Sequence, residues 1–162
     1  HANRVIKKSK GRTRIIENQL YEESNSSESL RLAFNNSQCT NMLFMHGDLY
    51  FNEHTLRVPF DKSFVIIDTK QRFKDNEVGL TKHNGMLTTL SYGLPHKWAQ
   101  IAFVTGNEYK ILRQIFNKYE CQDKKKLSFE IINMILEAGG NFLCHEPRNM
   151  TIKEIDRIKD IK

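Results

Sequence analysis

Asn41-Met-Leu-Phe-Met-His-Gly-Asp-Leu-Tyr-Phe-Asn52 is an apolar run that stops abruptly at Gly47-Asp48. The run is too short for an independent helix and suits a strand buried on both faces, with an acid at its carboxyl end. In open α/β sheets ligands bind at that end. The stretch therefore predicts both a fold and a site: a central parallel strand that delivers the Asp48 carboxylate to a crevice.

Working outward, residues 63–68 form a second continuous apolar run that also ends in an acid, residues 100–105 a third strand, and residues 141–145 and 13–17 two shorter ones. Helical patterns lie between them. Residues 28–35 carry Leu30, Leu32, Ala33 and Phe34 on one side, with Ser26 or Ser27 as N-cap. Residues 107–119 space Ile111, Leu112, Ile115, Phe116 and Tyr119 as an amphipathic stripe, and residues 127–138 end at Gly139-Gly140. Residues 77–82 and 86–91 flank His83-Asn84-Gly85, the strongest short-range hairpin signal. Residues 1–11 read as the tail of a helix, and residues 151–162 as a charged segment, helical from about Ile155. The expected architecture is a three-layer α/β/α sandwich, with a mostly parallel central sheet and an antiparallel hairpin insertion.

The 162 residues predict one domain spanning the whole chain. With 39% hydrophobic and 27% charged residues the composition is that of a water-soluble domain, and no apolar run approaches the roughly 20 residues of a membrane helix. Cys39, Cys121 and Cys144 are an odd number without CxxC spacing, which supports neither a disulfide framework nor a zinc site and fits a reducing cytoplasm. No apolar stretch follows Arg4-Val-Ile-Lys-Lys, so no signal peptide is read there. The formal net charge of +6 is concentrated near the two ends and in Lys124-Lys-Lys126. That pattern reads as solvated basic ends with some attraction for phosphorylated small molecules, ahead of a nucleic-acid surface.

Asp48 is the first candidate for chemistry. A carboxylate at a strand end suits Mg²⁺, which takes one or two carboxylates and completes its shell with water and phosphate oxygens. Lys153-Glu-Ile-Asp-Arg-Ile-Lys-Asp160, taken alone, is a solvated helix start with Asp156 as its cap. His46 is assigned no metal role, because Mg²⁺ prefers oxygen. No third partner or nucleophile motif accompanies Cys144 and His145.

Taken together, Ile15-Ile-Glu-Asn18 with Tyr21, Ser27-Glu-Ser-Leu-Arg-Leu-Ala33, Leu43-Phe-Met-His-Gly-Asp48, Phe129-Glu-Ile-Ile-Asn133 and Glu154-Ile-Asp156 with Asp160 resemble the nucleotidyltransferases that activate sugar phosphates or phosphocholine. The resemblance runs from about residue 13 to the end. It implies a glycosyltransferase-A-like fold and transfer of a nucleoside monophosphate from a nucleoside triphosphate, with release of pyrophosphate. It further implies that Asp48 and Asp156 jointly bind the catalytic Mg²⁺, and that Glu130 faces the acceptor. Read locally, Glu130 is equally a solvent-facing helix residue.

Two departures from the family pattern stand out. No Gly-rich nucleotide loop of the Gly-x-Gly-x-Arg type precedes Arg4, and Gly11-Arg-Thr-Arg14 is too short to replace it. Where relatives carry a Lys for the acceptor phosphate after the hairpin, this chain has Ser91 or Tyr92, with Lys97 a few residues on. Trp98 is the floor of an acceptor pocket, a π face for a choline-like cation, or a core or hairpin-packing residue. Three readings follow: a Mg²⁺-dependent nucleotidyltransferase, a catalytically incomplete binding or assembly module on the same fold, and, lowest, a basic nucleic-acid-binding domain. A sheet lacking the family's first strand would expose an edge, so self-association into a homo-oligomer is expected.

Overall fold

The structure, a computed structural model, describes residues 13–70, 73 and 76–155. Among these residues the strands are β1 (Met42–Met45), β2 (Leu49–Phe51), β3 (Phe64–Asp68), β4 (Val78–His83), β5 (Met86–Tyr92), β6 (His96–Val104), β7 (Leu143–His145) and β8 (Ile152–Glu154). Helix α1 (Ser26–Asn35) precedes β1, while α2 (Gly106–Asn117) and α3 (Ser128–Glu137) lie between β6 and β7. No helix of the described residues is long and apolar enough to cross a membrane.

The core strands are β3 and β6. Phe64 to Ile67 are at most 1% exposed, and Ile101 to Val104 at most 5%. β6 pairs antiparallel with β1, β3 and β4, and β7 pairs parallel with β3. Hence β1, β3, β4 and β7 share one direction, as the α/β reading expects, although β6 running against them makes most ladders antiparallel. The Asn84-Gly85 turn joins β4 to β5 as expected, with φ of 50° and 77° at the two positions.

β1 corrects the opening expectation. It is neither central nor buried on both faces: among the described residues it pairs only with β6, and Met45 is 37% exposed. A short apolar run carries no signal that separates a half-covered edge strand from a core strand. Residues 13–17 are a second correction, for they join no strand. Arg14 instead donates to the Asn36 carbonyl at 2.7 Å. The helices expected in residues 1–11 and from residue 156 onward lie outside the described residues, and residues 152–154 form strand β8.

The two faces of the sheet are covered differently. Val65 and Ile67 of β3, with Trp98, Ala102 and Val104 of β6, pack against α1, α2 and α3. Phe64, Ile66, Ile101 and Phe103 face a thinner cover. It consists of the antiparallel β2–β8 ribbon and a 3₁₀ turn at Glu53–Leu56, with Leu49, Phe51, Leu56 and Ile152 inward. The α/β class is therefore as expected, with a ribbon in place of a helical layer on the second face of the described residues.

The start of α1 is pinned from below. Asn25, and not Ser26 or Ser27, is the N-cap, its side chain accepting from the Ser26 N–H at 2.9 Å. Ser27 is fully buried and bonds Tyr119 Oη at 2.7 Å and the Asp123 carbonyl at 2.8 Å. Arg31 donates to both carboxylate oxygens of Glu28 at 2.8 and 2.7 Å. This bond holds the Glu28 carboxyl below its ordinary value. A depressed carboxyl stabilises the fold above its unfolded pKa, and that contribution is lost as pH falls through the folded value. Glu28→Gln is therefore expected to cost about 2 kcal/mol at pH 7, the range of hydrogen bonds to charged groups. The gap from wild type should close as pH falls below about 4. Urea midpoints of both proteins at pH 7 and pH 3 check this; an equal gap at both would overturn it.

Candidate functional site

The site grows out of an irregularity in β6. Val65 pairs with Ala102 while Ile67 pairs with Trp98, so β6 carries two more residues than β3 between the same points. An excess of two preserves the inward and outward alternation, and the strand stays apolar on both faces. Gln100 lies within this bulge at φ 58°, a left-handed conformation that non-glycine residues rarely adopt. β3 occupies one edge of β6 throughout. The other edge is shared, with β1 paired from Val104 to Ile101 and β4 only at Lys97 and His96. Between them the ladder is open.

A cleft of about 260 Å³ lies at that opening. It is lined by His46 from the end of β1, Glu77 and Val78 at the start of β4, Tyr92, Trp98 and Gln100, the residues Leu127 to Phe129 at the start of α3, and Glu154 of β8. The His46 N–H donates to the Gln100 carbonyl at 3.3 Å, and His46 Nε2 is 2.9 Å from Ser128 Oγ. The His46 ring meets Trp98 edge-on at 5.7 Å. The Ser128 N–H donates to Ser26 Oγ at 2.8 Å, which fixes the start of α3 to the start of α1. Asn133 clamps the same helix to the hairpin by accepting from the Leu90 N–H at 3.0 Å and donating to the Leu90 carbonyl at 2.8 Å.

Of the residues singled out from sequence, Trp98 and Tyr92 line the cleft. Trp98 is also core: it is 1% exposed and its Nε1 donates to the Ile101 carbonyl at 3.2 Å. Tyr92 is half exposed and stacks edge-on with Phe129 at 5.7 Å. Lys97 borders the cleft, its ammonium 2.5 Å from a Glu77 carboxylate oxygen. Glu130 accepts the Leu127 N–H at 2.6 Å and thereby caps its own helix. Cys144 and His145 do not form a nucleophile pair: burial pushes the Cys144 thiol up to about 11, the reverse of what thiolate chemistry needs, and lowers the His145 imidazole.

Asp48 lies on the exposed turn between β1 and β2. Its carbonyl accepts the Ile155 N–H at 2.8 Å, and the next ladder pair is Leu49 with Glu154. The ribbon thus brings the Gly-Asp motif and the Glu154-Ile155 motif together. Asp156 itself lies outside the described residues. No group of three or more His, Cys, Asp or Glu that could hold a metal occurs among the described residues. The oxygen of Asp48 fits an ion such as Mg²⁺ that keeps water and phosphate oxygens in its shell, and does not fit a protein-caged metal.

Sequence reasoning passed over Gln100, Glu77 and Ser128, and gave no role to Asn133 and Glu154 within the motifs that contain them. The one signal for Gln100 was an uncharged polar residue inside the otherwise apolar run Trp98-Ala-Gln-Ile-Ala-Phe-Val104. The partners of the others come from residues distant in the chain.

No family model matches the sequence, and none of the curated proteins does. Solved structures do match. The inositol-1-phosphate CTP transferase from T. maritima aligns with a TM-score of 0.76 over 99% of this chain and 66% of its own, at 12% identity. The CTP:phosphocholine cytidylyltransferase from Streptococcus pneumoniae aligns with 0.67 over 92% of this chain and 66% of its own, at 16% identity. A glucose-1-phosphate thymidylyltransferase from Bacillus anthracis, described as putative, aligns with 0.64 over 92% and 61%, at 10% identity. The chain spans less than two thirds of the length of each. Its fold is that of the nucleotidyltransferases.

Proposed function

We propose that this chain belongs to a Mg²⁺-dependent nucleotidyltransferase that joins a nucleoside monophosphate to a phosphorylated small molecule, a sugar phosphate or a phosphocholine-like compound, and releases pyrophosphate. The observation that carries the reading is the hydrogen bond from Ile155 to Asp48 on a fold of this kind. It joins the two segments that hold the acidic residues of the proposed metal site. Asp48 and Asp156 would hold the ion, which supplies charge neutralisation at the reacting phosphate. In this reading the cleft lined by His46 and Glu154 receives the acceptor. Trp98 forms its floor, Tyr92 its rim, and Glu130 keeps the first turn of α3 in place. Lys97 holds Glu77 at the wall. Catalysis then rests on placing the acceptor phosphate in line with the nucleotide and on fixed charge, with no covalent step on the protein.

The test is pyrophosphate release from a panel of nucleoside triphosphates and phosphorylated acceptors, with the 162-residue chain and with any longer form of the protein. Acceptor-dependent release is expected from at least one form, and its absence from both would overturn the reading. The Lys97–Glu77 pair favours a second reading, a binding module, because the cation expected to meet the acceptor phosphate is already neutralised. The panel separates the two, since a module binds without release.

A further inference from the structure

Among the described residues the lining of the cleft contains two carboxylates, Glu77 and Glu154, and neither lysine nor arginine. Lys97 neutralises Glu77 from the side. One negative charge, that of Glu154, is left to face a ligand. The side-chain oxygen of Gln100 is buried and has no hydrogen-bond partner among the described residues. A buried acceptor without a donor is costly, and native structures satisfy nearly all of them. The Gln100 backbone is left-handed, within the bulge where, among the described residues, the other edge of β6 is unpaired between β1 and β4. Both features ask for the same thing, a ligand group that donates hydrogen bonds and carries positive charge.

The aromatic residues narrow it further. Trp98 is 1% and Phe129 7% exposed, so of the three aromatic side chains in the lining only Tyr92 offers much ring surface. A quaternary ammonium is bound by several ring faces and has no N–H to give. A neutral polyol can donate to Gln100 and to Glu154 but leaves the charge of Glu154 uncompensated.

We propose that the cleft takes an acceptor whose end remote from the phosphate is a protonated primary or secondary amine, with Gln100 accepting its N–H and Glu154 pairing its charge. The proposal rests on the nucleotidyl-transfer reading for the acceptor's phosphate, but the recognition of its amine is measurable without turnover. The probes are O-phosphoethanolamine, phosphocholine and glucose 1-phosphate, titrated calorimetrically into the 162-residue chain. O-phosphoethanolamine is expected to bind roughly tenfold more tightly than either of the others, as befits one charge-assisted hydrogen bond. Glu154→Gln and Gln100→Leu are each expected to remove that preference. A urea unfolding midpoint unchanged from wild type shows that each variant is folded.

Phosphocholine or glucose 1-phosphate binding as tightly as O-phosphoethanolamine would overturn the proposal. So would a preference that survives Glu154→Gln, or no binding of any of the three. Pyrophosphate release distinguishes the two levels. Amine-selective binding without release sustains this inference and defeats the enzymatic reading, whereas release with glucose 1-phosphate alone does the reverse.

Discussion

Asp48→Asn is expected to reduce acceptor-dependent pyrophosphate release by about 10²- to 10³-fold, the scale of losing one preorganised electrostatic contact to a reacting group. The loss should appear in kcat, and the Mg²⁺ concentration for half-maximal rate should rise, because one of the two proposed metal ligands becomes neutral. The fold should not notice. The Asp48 side chain is exposed, and the bond that ties this turn to Ile155 is made by the backbone carbonyl. The change in stability should therefore stay within about 0.5 kcal/mol, as for other surface substitutions. Release rates against Mg²⁺, with a urea titration of each protein, check both halves. A variant that keeps near wild-type turnover removes Asp48 from the site. One that loses turnover together with several kcal/mol of stability would point to a structural role for the turn instead.

Strands and helices with a strong period were legible before any coordinates. The stripe Ile111, Leu112, Ile115, Phe116 and Tyr119 falls on α2 and its C-terminal flank, the run from residue 63 to 68 is β3, and Asn84-Gly85 turns the hairpin. These signals are local, since each follows from the backbone period or from the conformational preference of one or two residues. The ranking of the strands was not legible. Met42–Met45 and residues 64–67 are equally apolar to the eye, yet one lies on an edge and the other is fully buried in the core. What separates them is the number of neighbours each ladder finds, and that is a property of topology. β8 was hidden for the same reason. Ile152-Lys-Glu154 looks like a charged tail until β2 supplies its hydrogen-bond partners.

The candidate site divides along the same line. Asp48, Trp98 and Tyr92 were recognisable because residue type and motif point to them, and the resemblance put Asp48 beside the terminal acidic segment before the ribbon did. The cleft itself was not recognisable. It exists because β6 has two surplus residues opposite β3 and shares its other edge between β1 and β4, so that Gln100, His46, Glu77 and Glu154 converge from four strands or their ends. Lys97 and Glu130 show the converse. Their types suggest ligand contacts, but the charge of Lys97 is engaged with Glu77, distant in the chain, and that of Glu130 with the N–H three residues before it, where α3 starts.

Trp98→Ala is expected to destabilise the protein by about 3–5 kcal/mol, the cost of deleting a large buried aromatic side chain. For a chain of this size that is on the order of 10 °C in Tm. Trp98 is 1% exposed and packs in the cluster that joins the sheet to all three helices. Its indole N–H is the donor to the Ile101 carbonyl at the bulge that shapes the cleft, and its ring supports His46. Trp98→Phe separates these roles. It keeps most of the packing and removes the N–H, so it should cost less than the alanine change, about 1–2 kcal/mol from the hydrogen bond and the residual cavity. If Trp98 served only as an exposed floor for a ligand, both variants would bind acceptor more weakly and unfold at the wild-type midpoint. Thermal unfolding of the three proteins without ligand decides the matter. A midpoint for Trp98→Ala within 2 °C of wild type would show that the tryptophan is not the keystone of this core, and that the bulge at Gln100 is held in shape by the strands alone.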